Sequence, residues 1–132
     1  MRNLISLLVG SVLLASTPVQ AAPRLSPEAK LAKEIEGRVA GEPVDCVNLR
    51  NIRSSRIIDG TAIVYDAGST IYVNRPRAGA ESLNDWDVMV NKVYSSRLCS
   101  IDVVQTYDSG SRFWTGNVFL GEFVPYRKVA SR

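Results

Sequence analysis

Apolar and polar positions along the chain follow two periods, and the change between them falls near residue 44. Over 26–40 (SPEAKLAKEIEGRVA), Leu31, Ile35 and Val39 recur every four residues, which is helical spacing. Ser26 suits the N-cap, Pro27 the first helical position and Glu28 the positive first turn. Glu34 and Arg38 form a favourably oriented i, i+4 pair, and Gly41-Glu42-Pro43 ends the segment. The apolar stripe is narrow, which predicts either a loosely docked helix or a partner-seeking arm.

From Asp45 onward the pattern is that of strands. Asp59-Gly60 between Arg56-Ile57-Ile58 and Thr61-Ala62-Ile63-Val64-Tyr65 is a two-residue hairpin signal. Asp66-Ala67-Gly68-Ser69 then turns the chain into Thr70-Ile71-Tyr72-Val73-Asn74. These turns pair Ile57 with Ala62 and Ser55 with Val64, then Val64 with Ile71 and Ala62 with Val73. One face of the meander thus collects Ile57, Ala62, Val64, Ile71 and Val73, all apolar. The other holds Arg56, Ile58, Thr61, Ile63, Tyr65, Thr70, Tyr72 and Asn74 and is amphipathic. After a connector at 75–85 with one helical turn at Ala80–Leu83, strands are predicted at Trp86–Tyr94, Ile101–Tyr107 and Phe113–Phe123. Gly116 and Gly121 mark bends or bulges in the last of these, and Pro125 ends it.

The pattern predicts a mainly β domain: a small antiparallel meander or partly open barrel of five or six strands, with one N-terminal helix. In that barrel Trp86, Trp114 and Phe119 fill the gap between hairpins. The runs 54–69 and 95–111 also echo one another at an offset of 41–42 residues. A pseudo-symmetric pair of hairpins would produce this, as would shared turn chemistry.

The first 21 residues change the compartment. Arg2 is followed by a largely apolar run of twelve, Leu4–Ala15, then Thr17-Pro18 and small residues at Val19 and Ala21. This is the form of a secretory signal peptide, and the run is too short to span a bilayer, which takes about 20 residues. Cleavage after Ala21 leaves 111 residues with a net charge of +2. The boundaries that follow are a signal peptide over 1–21, a helical arm over 22–44, one β domain over 45–126 and a basic tail over 127–132. A periplasmic or secreted protein is expected, with no stable membrane insertion once the signal is removed. Cys46 and Cys99, the only cysteines, are expected to form one structural disulfide in an oxidising compartment.

Several blocks in one order resemble a family of small exported proteobacterial proteins, a domain of unknown function. They are Cys46-Val47-Asn48-Leu49-Arg50-Asn51-Ile52-Arg53-Ser54-Ser55-Arg56-Ile57-Ile58-Asp59, Tyr72-Val73-Asn74-Arg75, Leu98-Cys99 with Asp102, and Leu120-Gly121-Glu122-Phe123-Val124-Pro125. The resemblance spans about residues 45–126 and implies an exported, cysteine-bridged domain; it implies no activity. Many relatives carry a second cysteine pair where this chain reads Arg77-Ala78-Gly79-Ala80 and Asn117-Val118-Phe119. The absence of both partners puts more weight on Cys46 and Cys99.

Composition removes most enzymatic chemistries. The chain has no histidine, so it has no Ser-His-Asp or Cys-His nucleophile system and no His-ligated metal site. Two cysteines are too few for a four-cysteine zinc site or a cysteine-ligated cluster. No catalytic residue, metal or cofactor is assigned. Arg50, Arg53 and Arg56 recur every three residues in a stretch, 46–77, that carries a local charge of +3, against −3 over 78–111. Such a set could hold phosphate, carboxylate or an acidic polysaccharide, or pair internally with Asp85, Asp87, Asp102 or Asp108. Tyr65 and Tyr72 join Arg50, Arg53 and Arg56 as the candidate binding face. Asp59, Asp66, Asp102 and Asp108 lie at or beside turns; a pair of them is the requirement of a small hydrolase, the alternative reading. The leading reading is a non-enzymatic periplasmic binding or interaction module whose partner is an envelope protein or an anionic envelope ligand. A third is an assembly or inhibitor protein acting through the 26–40 helix. Nucleic acid is not expected, given the small net charge and the compartment.

Overall fold

A computed structural model of the chain describes residues 18–130. Most of the signal-peptide reading, residues 1–17, lies outside the described residues; 18–26 are exposed and carry no regular secondary structure. Among the described residues, one helix, α1 (Pro27–Glu34), precedes ten strands. These are β1 (Arg38–Ala40), β2 (Cys46–Asn48), β3 (Ser54–Ile58), β4 (Ala62–Asp66), β5 (Thr70–Asn74), β6 (Asp87–Asn91), β7 (Arg97–Cys99), β8 (Val103–Asp108), β9 (Trp114–Phe119) and β10 (Phe123–Lys128). They form three antiparallel sheets, ordered β1-β10-β5-β4-β3, β2-β7 and β6-β8-β9. The protein is mainly β with one helix, as expected. The sheets do not close into a barrel, and ten strands replace the expected five or six.

The helix starts where its signals lie: the Ser26 hydroxyl accepts from the Ala29 amide at 3.2 Å, and Pro27 follows. It stops at Glu34 because Ile35 leaves helical geometry (φ −105°, ψ 9°), and Arg38–Ala40 extend along β10 as β1. The expected arm is thus partly a sheet strand. At the other end of the chain, Arg127 and Lys128 lie within β10 rather than in a tail. Pro125 does not end that strand. Its carbonyl accepts from Gly41 N, beyond the end of β1, so the N–H that proline lacks falls on that side and not on the β5 ladder.

The β3–β4 register differs from the expectation by one residue. Ile58 faces Ala62 and Ile57 faces Ile63, so the loop has three residues, Asp59-Gly60-Thr61. A two-residue type I′ turn needs positive φ at both central positions, and here only Gly60 has it (φ 58°). The β4–β5 pairing shifts by two, Val64 facing Val73 around a tight Gly68-Ser69 turn, which keeps the expected face. One face of the meander therefore carries Ile58, not Ile57, with Ala62, Val64, Ile71 and Val73, packed beneath Leu31 and Ile35. The other face carries Ile57, Ile63 and Tyr65, packed with Phe123 against Leu83, Leu98, Val104, Val118 and Leu120.

Ion pairs ring the helix: Glu28 with Arg75 (2.9 and 3.0 Å), Lys30 with Asp85 (3.4 Å) and Glu34 with Arg56 (2.5 Å). The Arg75 guanidinium holds the Glu28 carboxyl below its ordinary range. These groups are largely exposed, so Leu31 and Ile35 supply most of the docking energy. The segment expected as one strand, Phe113–Phe123, is split between two sheets, β9 and β10. The crossover at Leu120-Gly121-Glu122 is clamped by buried Asn74, which donates to Gly121 O (2.7 Å) and accepts from Gly121 N (3.0 Å). A Cβ at Gly121 would run into the Arg75 carbonyl. The sequence echo does not produce paired hairpins, because β7 pairs with β2 and β8 lies in another sheet.

Cys46 and Cys99 face one another across β2–β7 and are bridged, 53 residues apart. With Val47 and Leu98 beside them buried in the core, the bridge pins that ribbon beneath the larger sheet. Replacing both cysteines with alanine is expected to lower unfolding free energy by about 4 kcal/mol on the chain-entropy account, measured by urea denaturation. The Tyr65 hydroxyl is buried with no hydrogen-bond partner, and burial pushes its phenol up from 10.0. A raised native value means stability is fully present below pH 10 and falls as pH rises beyond it. Tyr65→Phe is therefore expected to stabilise by about 1 kcal/mol at neutral pH and to flatten the alkaline loss, read from urea midpoints over a pH series.

Candidate functional site

The three-stranded sheet turns one face inward and leaves the other exposed. Val104, Thr106 and Val118 point into the core. Alternation then places Val88, Val90, Val103, Gln105 and Tyr107 outside. Register sets them in rows: Val88–Tyr107–Trp114, Val90–Gln105–Asn117 and Val103–Phe119. Trp86 and Phe113 are each 75% exposed, and Trp114 is 56% exposed.

Strict alternation back from buried Val118 and Gly116 would put Trp114 inside. A bulge prevents this: Thr106 faces Gly116 and Tyr107 faces Trp114, leaving Thr115 as the extra residue. The Thr115 hydroxyl donates to the Asp87 carboxylate and lies 2.8 Å from the buried Thr106 hydroxyl, so the threonine, itself exposed, is tied to the Thr106 side of the sheet. The indole is left outside, its N–H directed at Asn117 Oδ1 at 3.4 Å.

The loop from β8 to β9 is shaped by Asp108. Its carboxylate accepts from Ser111 N (2.6 Å), the Ser111 hydroxyl (2.8 Å) and Gly110 N (3.1 Å), and its amide donates to Phe113 O (2.9 Å). Arg112 is held at φ 61°, a costly conformation for a residue with a side chain. Together Val88, Val90, Tyr107, Asp108, Ser109 and Arg112 enclose a shallow hollow of about 540 Å³ on the exposed face. An apolar floor with an arginine and a carboxylate at its rim has the composition of a protein-docking surface. Among the described residues, no group of three or more carboxylates or cysteines stands close enough to hold a metal ion.

The candidate face expected from sequence is divided. Tyr65 is core, 2% exposed, and Arg56 pairs with Glu34 of α1. Arg50, Arg53 and Tyr72 do come together, beside the Gly68-Ser69 turn. Of the turn acids, Asp66, Asp102 and Asp108 each bond amides of their own turns, while Asp59 and Asp85 both face Lys30. Among the described residues, the expected pairings of Arg50, Arg53 and Arg56 with Asp85, Asp87, Asp102 or Asp108 do not form. Trp86, Trp114 and Phe119, expected in the interior, are on the surface, and Tyr65 with Phe123 takes the interior space instead (centroids 5.7 Å apart). The sequence contained one signal for this: Gly116 beside Thr115 at a strand position, the mark of a bulge.

The three hydrogen bonds from Ser111 and Gly110 hold the Asp108 carboxyl below its ordinary 3.8, the Ser111 amide contributing most. A depressed native value means the turn is stabilised above pH 3.8 and loosens as pH falls through the lower native value. The amide resonances of Gly110 and Ser111 are expected to titrate with a shared midpoint below 3.8, and Asp108→Asn to abolish that titration.

No protein-family model matches the chain, nor does any curated protein or any solved structure.

Proposed function

We propose that this protein is an exported, non-enzymatic interaction module that docks a second envelope protein on the outer face of β6-β8-β9. One observation carries the reading: a sheet buried on one face exposes Val88, Val90, Trp114 and Phe119 on the other beside half-buried Tyr107, with exposed Trp86 and Phe113 next to the strand ends. Contiguous apolar surface on a soluble domain marks an interaction site, and Trp and Tyr are the residues that dominate binding energy at protein interfaces. The bulge at Thr115 leaves Trp114 outward, and Arg112 beside exposed Phe113 keeps a left-handed conformation that is costly for a residue with a side chain. Export is supported by the leader pattern over 1–21 and by the Cys46–Cys99 bridge, which persists in oxidising compartments. The resemblance to small exported proteins of unknown function agrees with this placement.

The test is a photo-crosslinking residue at Phe113 in the intact envelope. One discrete adduct with a different protein is expected, and V88D/W114D should lose it while melting at an unchanged temperature. No adduct, an adduct with a second copy of this chain, or an adduct that survives V88D/W114D would overturn the reading.

A further inference from the structure

Most cations of the described residues stand in no ion pair, and three of these gather at one turn. Lys30, Arg56 and Arg75 each face a carboxylate. Among the described residues, Arg38, Arg50 and Arg53 are in no ion pair. All three lie around the β4–β5 turn. Arg38 Nη1 caps the turn by donating to Ser69 O (3.0 Å) and reaches Tyr126 O (3.4 Å). Arg50 and Arg53 line a hollow of about 390 Å³ with Asn51, Ala67, Ser69, Thr70 and Tyr72. No acid lines it. The hollow at α1, by contrast, holds Glu34, Asp85 and Asp87 beside its cations.

The backbone that carries both arginines is fixed. Arg53 N donates to Asp66 O at 2.7 Å. Arg50 N donates to Asn48 Oδ1 at 3.0 Å in a single helical turn over Leu49–Asn51, and Leu49 N holds that turn to Ser96 O at 2.8 Å. The Arg53 guanidinium lies over Gly68: a Cβ there would stand 2.9 Å from its Cζ, and φ at Gly68 is 85°. Glycine thus serves the turn and also gives the guanidinium its place.

We propose that this hollow binds a phosphate group, carried either by a small phosphoester or by a lipid headgroup. Two arginines that line one hollow without an acid carry like charges that an anion in the hollow would offset. Asn51, Ser69 and Thr70 line the same hollow and carry an amide and two hydroxyls, donors additional to the arginine forks. A carboxylate is satisfied by one bidentate fork, whereas a phosphate offers oxygens on several sides to donors that come from several elements. The volume falls within the range of small-molecule sites, about 300–1,000 Å³. The site is separate from the proposed protein-docking face in both residues and ligand chemistry, so the two readings stand or fall independently.

The experiment is calorimetric titration of the disulfide-bonded protein at low salt with inorganic phosphate, glycerol phosphate and acetate, alongside flotation with phosphatidylglycerol or phosphatidylcholine vesicles. Saturable binding of phosphate and glycerol phosphate is expected, with none of acetate. R50Q and R53Q should each weaken it about tenfold or more, and R24Q, in the exposed segment before α1, should not. Vesicle binding that needs phosphatidylglycerol and is displaced by glycerol phosphate assigns the lipid source; phosphate binding without flotation assigns the small phosphoester. Should either glutamine variant fail to fold, protection of Arg50 and Arg53 from phenylglyoxal by phosphate in the native protein, read by peptide mass mapping, gives the same answer. Absence of saturable phosphate binding, equal binding of acetate, an equal loss in R24Q, or flotation that glycerol phosphate does not displace overturns the proposal.

Discussion

Burial of β4 on both faces is the constraint on which the other elements depend. Ala62, Ile63, Val64 and Tyr65 are all at most 2% exposed. Even-numbered residues face the helix side and odd-numbered ones the smaller sheets. A strand buried on both sides needs a layer on each side to exclude water from it. Helix α1 supplies one through Leu31 and Ile35. The other comes from the β6-β8-β9 sheet and the β2–β7 ribbon, and the ribbon is too short to hold itself in place without its disulfide.

The same constraint sets what could be read in the sequence. The strands β3, β4 and β5, the Gly60 and Gly68 turns, the helix start at Ser26-Pro27 and the cysteine pairing were all legible from local chemistry. The β3 register was not. In a run such as Arg56-Ile57-Ile58 the two isoleucines are equivalent by polarity, and when both faces are apolar a one-residue slip moves no charge between faces except Arg56. Turn geometry decided it, through the sign of φ at Asp59, which sequence does not encode strongly. Pro125 misled for a related reason: a proline breaks a ladder only on the side where its N–H is needed, and that side depends on how far β1 extends.

The exposed face was hidden by a different physical effect. Large aromatic residues in a short chain are assigned to the core because burying them contributes most to stability. Here the interior is filled by Tyr65 and Phe123, which lie on strands of the larger sheet, and the smaller sheet is backed by Val104, Thr106 and Val118. That leaves Trp86, Phe113 and Trp114 without an interior to fill. The charge division between 46–77 and 78–111 was legible, but its use was not. In the second stretch Asp85 pairs with Lys30, Asp87 accepts from Thr115, and Asp102 and Asp108 bond their own turns, while Arg56 takes its partner from the helix.

Both surfaces therefore arise where the ladder departs from regularity. Regular alternation produces the two core faces; the Thr115 bulge reverses the direction of Trp114, and the Gly68-Ser69 turn makes room for the Arg53 guanidinium. Each departure is held by polar groups with geometric requirements of their own. Thr115 is tied to Asp87 and Thr106, and Asp66 Oδ1 accepts from Gly68 N at 2.7 Å. A fold maintained by apolar burial alone would tolerate either irregularity but would have no cause to fix it. The hydrogen bonds that do so leave an indole facing solvent and seat a guanidinium over a turn.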